Sequence, residues 1–361
     1  MREKITDWIV CPLDGADLRV LNAQTVDHDG CTHIAEGELV CEHGHVFPIR
    51  NSVPRLRPED VKRTNADEAE QATETTRAAK AIAASFGREW THFDHEHSRT
   101  WHDTLEERRA LFLREVDLPA EAMRDKLVLD AGCGNGSLSW GISEYDCDVL
   151  AADVSDAVDV AHKCYAMRPG SRVHYVQADL SAPPFRPATY DVVFSSGVLH
   201  HNPDTLAALK AIAPAIKPGG RIYIWLYHKE PGLKFALQLK LRSIISPLPA
   251  PIKHGFVYVW SIQSMIRQHL RTLLRLNDER DRLTWKERIV DLMDIYTPRY
   301  RHMHTQDEVT GWYNDLGLTD ITTTEVRDWG FGMKACRPTS TTSTVNAQTE
   351  PVSAAAAAAE Q

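Results

Sequence analysis

The sequence predicts an α/β protein whose core is a mostly parallel sheet with helices on both faces, preceded by a small β-module and interrupted by a helical cap. Three observations carry this. From Leu127 onward short β-rich runs alternate with helical stretches, the pattern of βαβ units. A strand, an acid, a glycine turn and a helix start follow one another over residues 127–137. Residues 231–277 hold no Asp or Glu in a chain of net charge −9, which marks an inserted segment.

A length of 361 residues suits two domains with appendages. Hydrophobic content of 43%, charged content of 25% and mean hydropathy of −0.36 exclude disordered, collagen-like and integral-membrane classes. No run approaches the roughly 18 apolar residues of a spanning helix. Acids at Glu3 and Asp7 occupy the place where a secretory signal has its apolar stretch, so a cytoplasmic location is expected. Seven scattered cysteines suit reduced thiols or a metal site better than a disulfide framework. The acidic total argues against a globally nucleic-acid-binding surface.

Residues 1–58 read as a β-module, with turns at Asp14-Gly15, His28-Asp29-Gly30 and Glu36-Gly37 and an extended exit at Val46-Phe47-Pro48-Ile49. Residues 59–120 read as a helical linker and lid. The first part is rich in Glu, Ala, Thr, Lys and Arg; the second carries Phe86, Trp90, Phe93 and Trp101, then an amphipathic stretch through Leu105, Leu111, Phe112 and Val116. Residues 121–230 hold the predicted strands Leu127–Leu129, Asp148–Ala152, Val173–Val176, Asp191–Phe194 and Arg221–Leu226. Pro-Gly pairs at Pro169-Gly170 and Pro218-Gly219 punctuate them. Residues 231–304 form the cap, residues 305–337 the final strands, and residues 338–361 a Thr/Ser/Ala-rich tail expected to be disordered.

The decisive segment is Leu127-Val128-Leu129-Asp130-Ala131-Gly132-Cys133-Gly134-Asn135-Gly136-Ser137. Its G-x-G-x-G spacing differs from the G-x-G-x-x-G of dinucleotide binders. An acid directly after the strand repels a pyrophosphate but suits a ligand bearing an ammonium and a sulfonium. The segment resembles motif I of class I S-adenosylmethionine-dependent methyltransferases, and further residues fit that family in order. Asp153 ends the second strand, where a carboxylate accepts from ribose hydroxyls; Asp179-Leu180 follows the third, where the family binds adenine. Tyr190 to His201, with Ser196 in its post-strand loop, resembles motif IV, and Lys217-Pro218-Gly219-Gly220 the turn before the fifth strand.

The resemblance implies a Rossmann-like seven-stranded sheet, S-adenosyl-L-methionine held by Asp130, Gly132, Gly134, Gly136, Asp153, Asp179, Leu180 and Ser196, and a methyl acceptor facing His200 and His201. Either histidine would be a base for an acidic O–H or C–H; the plainer alternative is that both only orient their loop. Similar His-containing loops occur in ubiquinone- and menaquinone-biosynthesis methyltransferases. For the glycines the alternative is a tight turn, and for the acids a helix cap. Trp90 in the lid and Tyr296, Arg299 and Tyr300 after the cap are candidate acceptor contacts, against ordinary packing and a Pro298 turn.

In the N-terminal module, Cys11-Pro12-Leu13-Asp14 and Cys41-Glu42-His43-Gly44-His45 resemble the paired knuckles of zinc ribbons attached to RNA methyltransferases, with Asp14 where those modules carry Cys. Cys11, Asp14, Cys41 and His45 are an acceptable zinc set; a ribbon that has lost its metal explains the same residues. The expected function is methyl transfer to O or C of a small organic acceptor, anionic or lipid-like. The alternatives are an RNA methyltransferase and a non-catalytic donor-binding subunit. The basic, apolar cap suits a small-molecule cover, a peripheral membrane contact, a nucleic-acid contact, or a merely solvated face.

Overall fold

A computed structural model describes residues 1–28, 30–62, 80, 83, 87, 103–229, 233–274, 283–327 and 329–339. Its central sheet has seven strands: β5 (Leu127–Ala131), β6 (Asp148–Asp153), β7 (Val173–Gln177), β8 (Tyr190–Ser196), β9 (Ile216–Tyr227), β10 (Thr319–Arg327) and β11 (Gly330–Cys336). They lie in the order β10-β11-β9-β8-β5-β6-β7. β5 to β9 are parallel; the β10–β11 hairpin adds the antiparallel edge. Strand order reverses between β5 and β8, which opens a crevice at the strands' carboxyl ends.

Period-two alternation assigns the strand residues to two faces. Leu127, Leu129 and Ala131 of β5, and Ile222, Ile224 and Leu226 of β9, pack on one face. Val128 of β5, and Tyr223, Trp225 and Tyr227 of β9, pack on the other. The aromatic face needs room on its antiparallel neighbour. A Cβ on Gly330 would lie 1.9 Å from Trp225 Cζ2, and one on Gly332 would lie 2.0 Å from the Tyr223 hydroxyl oxygen.

Helix α1 (Leu105–Val116) begins at a capping box formed by Thr104 and Glu107. With α2 (Ser137–Ser143) and α3 (Ala157–Ala161) it covers the aromatic face through Phe112, Val116, Ile142 and Val158. The opposite face is covered by α4 (Thr205–Ile212), α8 (Gln306–Asp315) and the N-terminal module. Between β9 and β10 the cap contributes α5 (Leu233–Ile245), α6 (Ala250–Leu273) and α7 (Trp285–Tyr296).

The N-terminal sheet, β1 (Leu18–His28), β2 (Cys31–Cys41), β3 (Val46–Arg50) and β4 (Val53–Pro54), is antiparallel in sequence order. It is not a separate bead. Arg55 bridges to Gln177 in parallel and Leu56 N–H donates to Gln177 O at 2.8 Å, so the module shields the exposed edge of β7. Ile5, Ile9, Phe47 and Leu56 join the sheet's own core. Arg55 ties the module to α3 through Asp159 at 2.5 Å, and Arg57 Nη1 donates to Val154 O beside Asp153.

Two local readings differ from the sequence. Glu36-Gly37 is not a turn but lies inside β2, opposite a register shift in β1 between Leu21 and Gln24. Lys217-Pro218-Gly219-Gly220 lies within β9, where pairing jumps from Tyr190↔Ile216 to Val192↔Arg221; the turn residues form an irregularity in a longer strand. The aromatic lid stretch with Phe86, Trp90, Phe93 and Trp101, and the tail from 340, lie outside the described residues. Among the described residues no helix is long and apolar enough to cross a membrane.

His33 and His174 are buried on either side of the module's junction with β7, and burial pushes both imidazoles down to about 4. The unfolded chain therefore binds more protons than the folded one between the ordinary value and 4, and stability is lost as pH is lowered through that window. Urea midpoints should drop as pH is lowered from about 6.5 to 4. His33→Phe together with His174→Phe should make that slope shallower, with buried His162, pushed down to about 3, supplying part of what remains; an equal slope in the double variant would refute the assignment.

Candidate active site

β5 ends in Asp130-Ala131 and delivers the chain into Gly132-Cys133-Gly134-Asn135-Gly136 before α2 begins. Gly132 N–H and Cys133 N–H donate to Ala152 O at 2.8 and 2.9 Å, which pins the loop to the end of β6. Gly132 has φ +105°, and a Cβ there would lie 2.3 Å from Val198 Cγ2. Both facts require glycine. Asp153, at the end of β6, accepts from Gly134 N–H at 3.0 Å and from Ser155 N–H at 2.8 Å. Asp179, after β7, accepts from Ser181 N–H at 2.8 Å. Asp130 accepts from the Ser139 hydroxyl at 2.6 Å.

Asp130, Asp153, Asp179, Leu180, Gly132, Gly134 and Ser196 line one cavity. Its volume is about 140 Å³. Burial pushes the Asp130 carboxyl up to about 6, reinforced by the charge of Asp153 and opposed by Ser139 and Arg108; burial raises Asp153 as well. Desolvated carboxylates gathered in one space favour a cationic occupant, since a cation restores the ionised form. A glycine-lined backbone beside them leaves room for a ligand to approach closely. The donor set thus fits a sulfonium- and ammonium-bearing nucleoside.

The far end of the same cavity is formed by His201, Asn202, Trp225, Tyr227, Asp294, Glu325, Arg327 and Trp329. His201 Nδ1 donates to Tyr300 O at 2.9 Å, and its Nε2 lies 3.4 Å from Asp294 Oδ1. The Tyr227 hydroxyl donates to Asp294 Oδ2, and the Arg301 guanidinium lies 3.8 Å over the Tyr227 ring. Burial acts to raise Asp294, yet His201, Arg301 and Tyr227 together hold its carboxyl below the usual range. On the opposite wall, burial pushes Glu115 up to about 8 despite a 2.6 Å hydrogen bond from Tyr223; Glu325 adds to the rise. Trp225 and Trp329 meet edge to face at 4.9 Å and give this end an aromatic wall.

The predicted residues separate accordingly. Gly136 (φ +72°) supports the loop from behind, with Tyr175 OH donating to its carbonyl at 2.8 Å, and does not line the cavity. His200 is fully buried outside the lining, against Tyr227 at 4.6 Å, and desolvation holds it well below the usual imidazole range. Tyr296 packs inside the cap against Phe256, and neither it, Arg299 nor Tyr300 lines the cavity; Tyr300 acts through its carbonyl. Trp90 lies outside the described residues. Sequence reasoning missed Asp294, although one signal was present. It is an acid on the face of α7 otherwise made of Ile289, Val290, Leu292, Met293 and Tyr296.

In the N-terminal module, ligand atoms of Cys11, Asp14, Cys41 and His45 all lie within 4.8 Å of one another. His45 Nδ1 is 3.5 Å from Cys11 Sγ, 3.4 Å from Cys41 Sγ and 3.0 Å from Asp14 Oδ2. Bond lengths of about 2.0 to 2.3 Å place tetrahedral zinc ligands roughly 3.3 to 3.8 Å apart, so the set is near the required size. His43 Nδ1 also meets Asp14 Oδ2, at 2.9 Å.

Gly132→Ala should lower stability by about 1–3 kcal/mol and close the carboxylate end of the cavity, because the new Cβ is strained and must displace Val198. Urea denaturation checks the first effect. An unchanged midpoint would contradict the loop geometry.

The profile of methyltransferase domains matches residues 129–224, and that of Trm112p-like proteins matches residues 2–52. Among curated relatives, the ubiquinone biosynthesis O-methyltransferase of Nitrosospira multiformis is 32% identical over 146 residues, which is 40% of this chain and 61% of that one. The enzyme of the same name from Pectobacterium carotovorum is 35% identical over 115 residues, 31% of this chain and 48% of that one. The chain spans about half the length of the curated relatives it matches. A solved magnesium protoporphyrin IX methyltransferase from Synechocystis aligns with 73% of this chain and 99% of its own, at 17% identity and TM-score 0.45. The segment that carries the glycine loop and the strands β5 to β8 is thus similar to methyltransferase domains, and the module before it to Trm112p-like proteins.

Proposed function

We propose that this chain is a methyltransferase that transfers the methyl group of S-adenosyl-L-methionine to an oxygen or carbon of a small organic acceptor. The observation that supports it most is the convergence of Asp130, Asp153 and Asp179 from three adjacent strand ends on one glycine loop and one cavity. In this reading Asp130 faces the ammonium end of the donor, Asp153 the ribose hydroxyls, and Asp179 with Leu180 the adenine; Gly132 and Gly134 give the backbone approach and Ser196 borders the methyl end. When bound, the donor supplies an electrophilic methyl carbon on sulfur. The chain's part is to align the acceptor in line with that carbon and to exclude water. Trp225, Tyr227 and Trp329 suit the apolar body of an organic acceptor, in keeping with the small-molecule names of the curated relatives. A cytoplasmic location belongs to the same reading, supported by seven cysteines that are all free.

In this reading His201 is the residue that moves a proton. Its Nδ1 donates to the Tyr300 carbonyl, so in the neutral ring Nε2, 3.4 Å from Asp294 Oδ1, carries the lone pair that takes the proton. On that reading the acceptor's proton would pass to Nε2, and Asp294 would balance the imidazolium. His200, buried behind Tyr227, serves to position this pair. Cys11, Asp14, Cys41 and His45 would hold zinc as a structural clamp on the module that braces β7 and the Val154 turn.

Three measurements test this reading. Asp153→Ala should weaken donor binding on the order of a hundredfold by calorimetry, since two hydrogen bonds to a charged group are lost; normal affinity would remove the ribose assignment. His201→Gln should lower kcat on the order of a hundredfold or more while leaving donor affinity unchanged, and Asp294→Asn should act in the same direction. An unaltered kcat in His201→Gln would make that residue a mere loop anchor. Elemental analysis should find one zinc per chain, lost in Cys41→Ser with a lower Tm; a metal-free wild-type chain would show a ribbon held by its apolar strands alone.

A further inference from the structure

α6 carries apolar residues on two sides, and among the described residues only one of these sides is covered. Val257 and Ser261 face α7, where Trp285 Nε1 donates to Ser261 Oγ at 2.8 Å, Gln268 Nε2 donates to Leu283 O at 2.9 Å and Phe256 meets Tyr296 at 5.4 Å. On the opposite side Ile252, Val259, Ile262, Ile266, Leu270 and Leu273 are between 51% and 73% exposed. At 100° per residue they fall within an arc of about 80°, along a helix about 36 Å long. α5 adds Leu237 and Ile244, each 58% exposed. So continuous an exposed stripe is uncommon on a chain that works alone in water.

Charge says what covers it. Residues 233–274 contain no acid, while the chain as a whole is −9. Arg242 and Lys253 are turned inward to the carbonyls of Ile295, Pro298 and Thr297, but Lys240, Arg267 and Arg271 are exposed on the same two helices. Exposed Tyr258 and Trp285 are residues suited to a boundary between apolar and wet surroundings. A second copy meeting this face by two-fold symmetry would set basic flanks against basic flanks, with no carboxylate to answer them. A nucleic acid would answer the charges and leave the apolar stripe in water.

We infer that the α5–α6 face docks on an anionic lipid bilayer, with α6 in the plane of the interface, its apolar stripe among the acyl chains and Arg267 and Arg271 at the phosphates. α7, which packs on α6, contributes Asp294 to the cavity, so docking holds the cavity about one helix layer, roughly 10 Å, from the surface. The inference does not depend on the chemistry performed in that cavity.

The test is flotation of the full chain with vesicles of phosphatidylcholine alone or mixed with phosphatidylglycerol. The chain should float with the mixed vesicles and much less with the neutral ones. Arg267→Gln with Arg271→Gln should weaken that association on the order of tenfold or more, at about fivefold per basic residue. Val259→Glu with Ile266→Glu should abolish it while leaving the Tm unchanged, since both sites are exposed. Absence of flotation with the mixed vesicles, or flotation unaltered by either variant pair, overturns the inference. So does a dimer in sedimentation that the glutamates dissolve without any vesicle binding, or RNA retention lost only with the arginines.

Discussion

Carboxylates buried at the open end of a parallel sheet cost free energy unless something answers their charge, and this molecule concentrates them there. Asp130, Asp153 and Asp179 come from the ends of three neighbouring strands. Their own hydrogen bonds, from Ser139, Gly134, Ser155 and Ser181, orient each carboxylate without neutralising it. The rest of the site follows from keeping that end open. Gly132 brings the loop against Val198, and the reversal of strand order between β5 and β8 provides the crevice.

The second organising constraint is the division of the sheet into an aliphatic and an aromatic face. On β9 the same alternation that buries Ile222, Ile224 and Leu226 sends Tyr223, Trp225 and Tyr227 the other way, toward the cavity. Two glycines on β11 give the rings space, and the cap returns Asp294 to meet Tyr227 and His201. The N-terminal module covers the edge that β7 would otherwise present to water. Through Arg55 and Arg57 it also braces the turn that carries Asp153. Fold support and site geometry thus share residues.

Much of this was legible in the sequence because the strand runs are short, apolar and separated by Gly and Pro, and because the glycine loop and the three acids sit at the ends of their strands. The same locality explains the errors. A Pro-Gly-Gly turn reads as a strand boundary, but register with β8 absorbs it inside β9. Glu36-Gly37 reads as a turn, but its partner strand bulges instead. The far end of the cavity was less legible because its residues come from β9, β10, α1 and α7, spread from Glu115 to Arg327 in sequence. Tyr300 was singled out for its ring and contributes its carbonyl; Asp294 was overlooked because an acid on a helix is usually solvated.

A cationic donor would relieve the crowded carboxylates, and its binding would therefore be coupled to their ionisation. This coupling is tested most directly by calorimetric titration of the chain with S-adenosyl-L-methionine in buffers of different ionisation enthalpy. With Asp130 pushed up to about 6 in the unliganded protein, binding near that pH should release protons to the buffer. The release should vanish about two units higher, where the carboxyl is already ionised. Binding without proton release near pH 6, or an absence of binding heat alongside tight uptake of NAD, would contradict the account.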